Sequence, residues 1–397
     1  MKLYPNLIRP VVDALEEIFR DNKYADKVIE KTLKLDKRWG ARDRAFIAES
    51  TYNIVRWYRL LYEIKGEVPQ TKEDWWEILG IWFTLQDVVL PDWKDFKSID
   101  PPSIKAKRIA LADQLPIQES IPDWLHEIAQ EELGEKWTPT LQELNKQAPL
   151  VIRTNTLKVD RPTLQKELSN QGIDSEIYGA DALVLPKRRN LFKLPLFKKG
   201  WFEIQDASSQ EIAPFLDVKP GMWVIDACAG AGGKSLHIAS FMKNKGRIFA
   251  LDLHEWKLKE LRKRSTRAGI DIIENRPILN QKVIKRLEGR ADRLLLDVPC
   301  SGLGVLKRNP DAKWKLDKDF LDRIRITQQK ILKSYPKMLK PGGKFVYATC
   351  SILPSENQEQ VQHFLQNNEG FTLLKEKSIL PQDNGFDGFY MALIEKT

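Results

Sequence analysis

Cysteine and histidine are scarce in this chain. Its 397 residues hold three cysteines (Cys228, Cys300, Cys350) and four histidines (His126, His237, His254, His363). An odd, sparse set of thiols without a signal peptide argues against a disulfide framework. No Cys-x-x-Cys pair occurs and the histidines do not cluster, so no metal site is expected. Long apolar runs are also missing. Nothing approaches 18 uninterrupted apolar residues, which leaves no candidate membrane span. The opening MKLYPNLIRPVVDALEEIF lacks the charged-then-apolar layout of a secretion signal and reads as an amphipathic helix. A cytoplasmic protein is expected.

What is present is a foldable, basic chain. With 42% hydrophobic and 30% charged residues it can bury real cores. Lys plus Arg number 64 against 55 Asp plus Glu, a net charge of +9 that favours a polyanionic partner. Its length allows two or three domains.

Three textures follow one another. Residues 1–145 read as all-helical. Val11, Val12, Leu15, Ile18 and Phe19 fall at helical spacing, and 41–64 puts Phe46, Ser50, Ile54, Trp57 and Leu61 on one face. Trp75, Trp76, Trp82 and Phe83 suit a packed helical core. Prolines at 91, 101–102, 116 and 122 mark joints. Residues 146–205 read as a small α+β module, with short strands in LVIRTN, SEIY, ALVL and WFEIQD around one helix. The basic stretches PKRRN (186–190) and FKKG (197–200) are solvated loops or phosphate contacts. From 206 to 397 strand and helix alternate, which predicts a parallel, doubly wound sheet. Ligands in such sheets sit beyond the carboxyl ends of the strands.

The stretch DACAGAGGKS (226–235) follows the first of these strands. Its Gly-Lys-Ser ending resembles a phosphate-binding P-loop, but Cys228 stands where that loop has its first glycine. The competing reading is a nucleoside turn, with Gly230, Gly232 and Gly233 in the bend. Asp252, at the end of the second strand, then receives ribose hydroxyls. Cys300 in LLLDVPCSG and Cys350 in VYATCS each follow a predicted strand at its carboxyl end. If those strands are neighbours, both thiols face one cleft with Asp297 and the glycine turn.

A pyrimidine methyltransferase has a use for two thiols. C5 of cytosine is a poor nucleophile until a thiolate adds at C6 and makes C5 enamine-like. A second thiol helps the later elimination, and a carboxyl near N3 stabilises developing charge. A nearby cation promotes the thiolate, and Lys234 is the candidate. Cys228, inside the turn itself, reads as structural.

Together DACAGAGGK, ALD, LLLDVPCSG, RNPDAKW and YATCSILPSEN resemble the RNA 5-methylcytosine methyltransferases of the RsmB/Sun type. The resemblance covers about the last 250 residues, including RTN (153–155) and QDASSQ (205–210). RDRAFIAE (42–49) is similar to the NusB-like helical domain of the bacterial small-subunit rRNA branch. The resemblance implies an α/β, Rossmann-like class I methyltransferase domain behind a small RNA-binding module and a NusB-like domain. It implies S-adenosylmethionine as cofactor and RNA, most of all 16S rRNA, as substrate, with tRNA as the alternative. It makes Cys350 the nucleophile and Cys300 the aid to product release, with Asp297 and Lys234 beside them. The cofactor turn maps to Cys228, Ala229, Gly230, Ala231, Gly232, Gly233 and Lys234, with Asp252 and Asp297. A monomer is expected. Other readings are a P-loop-like ATPase and a non-catalytic RNA-binding assembly factor. Three positions depart from the family pattern. Ala231 replaces a frequent proline, Asn309 replaces a common histidine, and ENRPILNQ (274–281) has no acid near Ile278, where Asn280 is the substitute on offer.

Overall fold

A computed structural model describes residues 2–280 and 282–397. Met1, which opens the first helical stretch, and Gln281, which closes ENRPILNQ, lie outside the described residues. The chain forms two compact units, Met1–Asn145 with Leu306–Lys318, and Lys146–Val305 with Asp319–Thr397. Among the described residues no helix is long and apolar enough to cross a membrane.

The first unit is helical. Its opening helix, Pro5–Phe19, starts on a proline, whose fixed φ suits a first turn. It buries Ile8, Val11, Val12, Leu15 and Ile18 along one stripe. Phe19 stacks on Tyr58 at 3.9 Å and on Trp75 at 5.3 Å between ring centres. Trp75, Trp76 and Phe83 are buried in the same core. Their helix, Lys72–Leu85, begins at a reciprocal cap between Thr71 and Asp74. The stretch 41–64 is not one helix. Ala41–Arg56 ends at Trp57, whose backbone leaves helical geometry, and Tyr58–Lys65 starts anew.

Leu306–Lys318 also belongs to this unit, although the flanking chain does not. The buried Arg56 guanidinium donates to the carbonyls of Leu144 (3.2 Å) and Lys307 (2.9 Å). Trp314 Nε1 donates to Val55 O at 2.7 Å, and Asp311 accepts from the Ala25 amide at 2.9 Å. Lys307 pairs with Glu143 at 2.6 Å. The motif RNPDAKW thus sits in the helical unit.

The second unit contains two sheets. The first is antiparallel, in the order β2-β3-β1-β4, built from β1 (Leu150–Thr154), β2 (Glu176–Tyr178), β3 (Ala182–Leu185) and β4 (Phe202–Ile204). The helix Arg161–Asn170 buries Leu164 and Leu168 in the core beside it.

The second sheet has seven strands in the order β10-β11-β9-β8-β5-β6-β7. These are β5 (Trp223–Asp226), β6 (Arg247–Asp252), β7 (Ile273–Pro277), β8 (Ala291–Asp297), β9 (Leu339–Thr349), β10 (Phe371–Ile379) and β11 (Phe389–Lys396). The five strands β5 to β9 are parallel, β11 adds antiparallel to β9, and β10 adds antiparallel to β11. Strand residues alternate between two cores. Ile225, Leu294, Leu296, Phe345 and Tyr347 point one way; Val224, Leu295, Val346 and Ala348 point the other. A sheet covered on both faces needs apolar runs rather than alternation, which is what these strands show. The chain order reverses beside β5, between β6 and β8, and a ligand crevice opens at such a point.

Candidate active site

Four strand ends meet at that crevice. Asp226 ends β5, Asp252 ends β6, Asp297 ends β8, and Cys350 follows β9. In the register of β8 and β9, Asp297 lies opposite Ala348, two residues before Cys350.

The glycine turn forms one wall. Gly232 has a φ of +84°, and a Cβ there would lie 2.3 Å from the Leu261 side chain. Only glycine fits that bend. The helix Gly233–Phe241 starts from it. Outside the turn, two arginines hold its carbonyls. Arg264 donates to Ala231 O at 2.8 Å and Arg153 to Gly233 O at 2.7 Å. Arg153 is almost fully buried, and burial pulls its guanidinium down to about 10. Glu203 binds Arg264 at 3.0 Å and also pairs with Arg267. Ala231, where a proline would stiffen the turn, is thus fixed by a hydrogen bond instead.

The Lys-Ser end of the turn does not offer a phosphate cradle. Lys234 Nζ lies 2.7 Å from Asp297, and the Ser235 hydroxyl donates to Asp226 at 2.6 Å. Both groups that a P-loop aims at phosphate or its metal are held by carboxylates, so the ATPase reading fails here. Among the described residues no cluster of three His, Cys, Asp or Glu could hold a metal ion.

The carboxylates fit a methionine-derived nucleoside. Asp252 accepts from the amides of Gly230 (2.9 Å) and His254 (2.7 Å), one on each oxygen. A carboxylate has about four acceptor sites, so capacity remains for two ribose hydroxyls. Asp226 is 1% exposed, and its Oδ1 has no hydrogen-bond partner among the described residues. Burial pushes its carboxyl up to about 7, against the Ser235 hydrogen bond. An orphaned buried carboxylate oxygen asks for a donor, and an amino-acid ammonium group supplies one. Around Ile278 the fit is looser. Ile278 lines an open cavity of about 610 Å³ with Tyr335 and several lysines, and Asn280 Oδ1 is engaged by the Lys282 amide.

The thiols come together. Cys300 and Cys350 lie 3.3 Å apart, sulfur to sulfur, on loops after neighbouring parallel strands. Gly304 lets the loops approach. Its N–H donates to Cys350 O at 2.9 Å, and a Cβ would meet Gly388 O at 2.3 Å. The hydrogen bond to Cys350, then burial, push the Cys300 thiol well up, so Cys300 keeps its proton. Burial opposes charge on Lys234, but Asp297 and Cys350 outweigh it and hold the ammonium up. Burial and the surrounding carboxylates push the Cys228 thiol well up, which leaves it a protonated wall residue.

Two residues of this region carried no assignment from sequence. Asp226 heads the quoted stretch, and its place at a strand end was the available signal. Arg153 stands in RTN, but its partner Gly233 lies 80 positions on.

Comparison with known proteins follows the same lines. Residues 213–395 match the family model of 16S rRNA methyltransferase RsmB/F, and residues 121–191 match the RsmF/B-like ferredoxin-like domain. The probable ribosomal RNA small subunit methyltransferase B of Synechocystis is 34% identical over 73% of this chain and 69% of its own length. The Bacillus subtilis protein of the same description is 36% identical over 62% of this chain and 59% of its own length. The chain therefore spans between 59% and 69% of these two relatives. The crystal structure of PH0851 aligns over all of both chains with a TM-score of 0.84 and 26% identity. The chain belongs to the RsmB/F methyltransferase family and is an S-adenosylmethionine-dependent methyltransferase.

Proposed function

We propose that this protein methylates C5 of a cytosine in small-subunit rRNA through a covalent bond between Cys350 and C6. The observation that carries this is the thiol pair, 3.3 Å apart, beside the Lys234–Asp297 ion pair. The relatives' names point to rRNA of the small subunit. A monomer acting in the cytoplasm completes the reading.

The residues divide the work. The glycine turn, Asp252 and Asp226 would hold S-adenosylmethionine, which would supply an electrophilic methyl group. Cys350 adds to C6 as thiolate, and Lys234 is the cation facing it. Asp297, fixed by Lys234, is the carboxyl that would stabilise charge developing on the pyrimidine ring. Once C5 carries the methyl group, its proton must leave and the sulfur–C6 bond must break. Cys300 holds its own proton chiefly because of its hydrogen bond to Cys350. When Cys350 is bonded to carbon, that influence ends; Cys300 then gives its proton to solvent water, and its thiolate takes the C5 proton. Electrons of the C5–H bond then restore the ring double bond and expel the Cys350 thiolate. The target base must be unpaired or flipped to enter the crevice. Exposed Lys187, Arg188, Arg189, Lys198 and Lys199 offer phosphate contacts on the α+β module.

Two substitutions test the assignment. Cys350→Ala is expected to lose methyl transfer and keep cofactor binding; full activity would overturn the mechanism. Cys300→Ala is expected to accumulate an RNA–protein adduct that survives a denaturing gel. Normal turnover with no adduct would remove Cys300 from product release. Bisulfite sequencing of RNA with and without the gene separates rRNA from tRNA as substrate.

A further inference from the structure

Glu356 is fully buried a short way beyond Cys350, in the tail of the Thr-Cys motif. Its partners are unusual. One oxygen accepts from the Ser301 amide at 2.8 Å and from Gln328 Nε2 at 3.1 Å. The other accepts from the Ser301 hydroxyl at 2.5 Å and the Ser351 hydroxyl at 2.5 Å. Ser301 directly follows Cys300, and Ser351 directly follows Cys350. One carboxylate therefore grips the neighbour of each thiol.

The grip is two-sided. Gln328 Nε2 also donates to the carbonyl of Pro299, just before Cys300, at 3.0 Å. On the other loop, Asn357 Nδ2 donates to Ser351 O at 3.1 Å, and Thr349, just before Cys350, donates to Asn357 Oδ1 at 2.5 Å. Tyr347 donates to the Glu356 carbonyl at 2.7 Å, which anchors the clamp to β9. Each cysteine is thus bracketed by residues tied to the pair Glu356–Asn357.

We infer that Glu356 is a positioning residue, which sets the spacing and aim of the Cys300 and Cys350 thiols. The physical reason lies in what surrounds it. Among the described residues no cation pairs with Glu356, and the four groups that donate to it are neutral. A buried carboxylate in that state is stable only while its donors stay in place. Drift of either loop removes donors and strands the charge, so the cost of displacement rises steeply. The arrangement acts as a stiff joint between two loops that chemistry needs at a fixed separation. Catalysis is sensitive to such spacing, because a displacement of about 1 Å can cost about 100-fold in rate.

The role of the joint in catalysis rests on the proposed use of both thiols, but the spacing can be measured without turnover. Phenylarsine oxide bridges two close thiols. Its arsenic–oxygen bond is replaced by two arsenic–sulfur bonds, and the two thiol protons leave as water with the oxygen. The unaltered protein is expected to bind one equivalent across Cys300 and Cys350, and Cys350→Ala to lose the bridge. Glu356→Ala is expected to weaken bridging by about tenfold or more, because the second bond loses its effective concentration. Its kcat should fall by about 100-fold, with S-adenosylmethionine affinity held. Glu356→Gln should recover most of both. Its amide oxygen can face the two N–H donors, and its NH₂ can face hydroxyls that are able to accept.

Unchanged kcat in a folded Glu356→Ala protein would overturn the inference. So would a loss of kcat with bridging intact, since the carboxylate would then act by some route other than spacing. If Glu356→Ala does not fold, the double variant Ser301→Ala/Ser351→Ala keeps the charge and removes both hydroxyl donors. Both readouts should fall in it, and wild-type values would count against the proposal. If the unaltered protein methylates no cytosine, the functional reading fails, while the bridging measurements still decide the clamp.

Discussion

Asp226 shows how one side chain can couple pH, stability and ligand. Burial lifts its carboxyl from 3.8 to about 7. The folded state therefore keeps a proton between about 4 and 7 that the unfolded chain has released. Stability conferred on the ligand-free protein must fall as pH rises through that window and level off above it. Asp226→Asn should flatten this slope, which thermal midpoints at pH 5 to 8 will read. The same carboxylate must ionise to meet an ammonium group, so S-adenosylmethionine affinity should drop below pH 7 in the unaltered protein. A pH-independent affinity would separate Asp226 from the cofactor. The thiols were legible in the sequence because strand-end cysteines in Pro-Cys and Thr-Cys settings have few structural reasons to be there. Asp226 was not, because an orphaned oxygen is a property of packing and leaves no mark in a string of letters. Glu356 escaped for the same reason, since its donors arrive from three separate segments.

At the scale of elements, the glycine turn depends on groups outside its own motif. Gly232 makes the bend possible, but Arg153 and Arg264 hold it from the first sheet and from the helix Glu255–Ala268. Arg153→Met removes a charged donor from Gly233 O. Cofactor affinity should weaken by about 1.5–3 kcal/mol, the scale of a hydrogen bond to a charged group. Calorimetric titration checks this, and unaltered affinity would assign Arg153 to the α+β sheet alone. The strands β5, β6, β8 and β9 were readable as apolar runs because both of their faces are covered. The edge strand β10 was not. Its sequence FTLLKEKSI is largely exposed, so its partner β11 and not its pattern makes it a strand. The break at Trp57 was hidden too, since residues on both sides keep helical spacing.

At the scale of the whole chain, RNPDAKW was readable as a motif but not as a place. Arg56 reaches Lys307 across 251 positions, and no local pattern announces such a partner. Within the helical unit, Trp314 packs on the Tyr58 ring at 5.5 Å, and Lys313 is buried so deeply that its ammonium is pulled well below its ordinary value. Residues 1–145 alone should therefore expose apolar surface and bind a hydrophobic dye. A peptide of residues 306–318 added in trans should bind, raise the melting temperature and release the dye. No change on adding it would show that the unit is complete without the segment. The excursion also sets an order of events during synthesis. The ribosome delivers the first 145 residues early, yet the pieces that close their core arrive only with Leu306–Lys318. The helical unit, begun before the α/β unit, thus waits unsealed while β1 to β8 are translated.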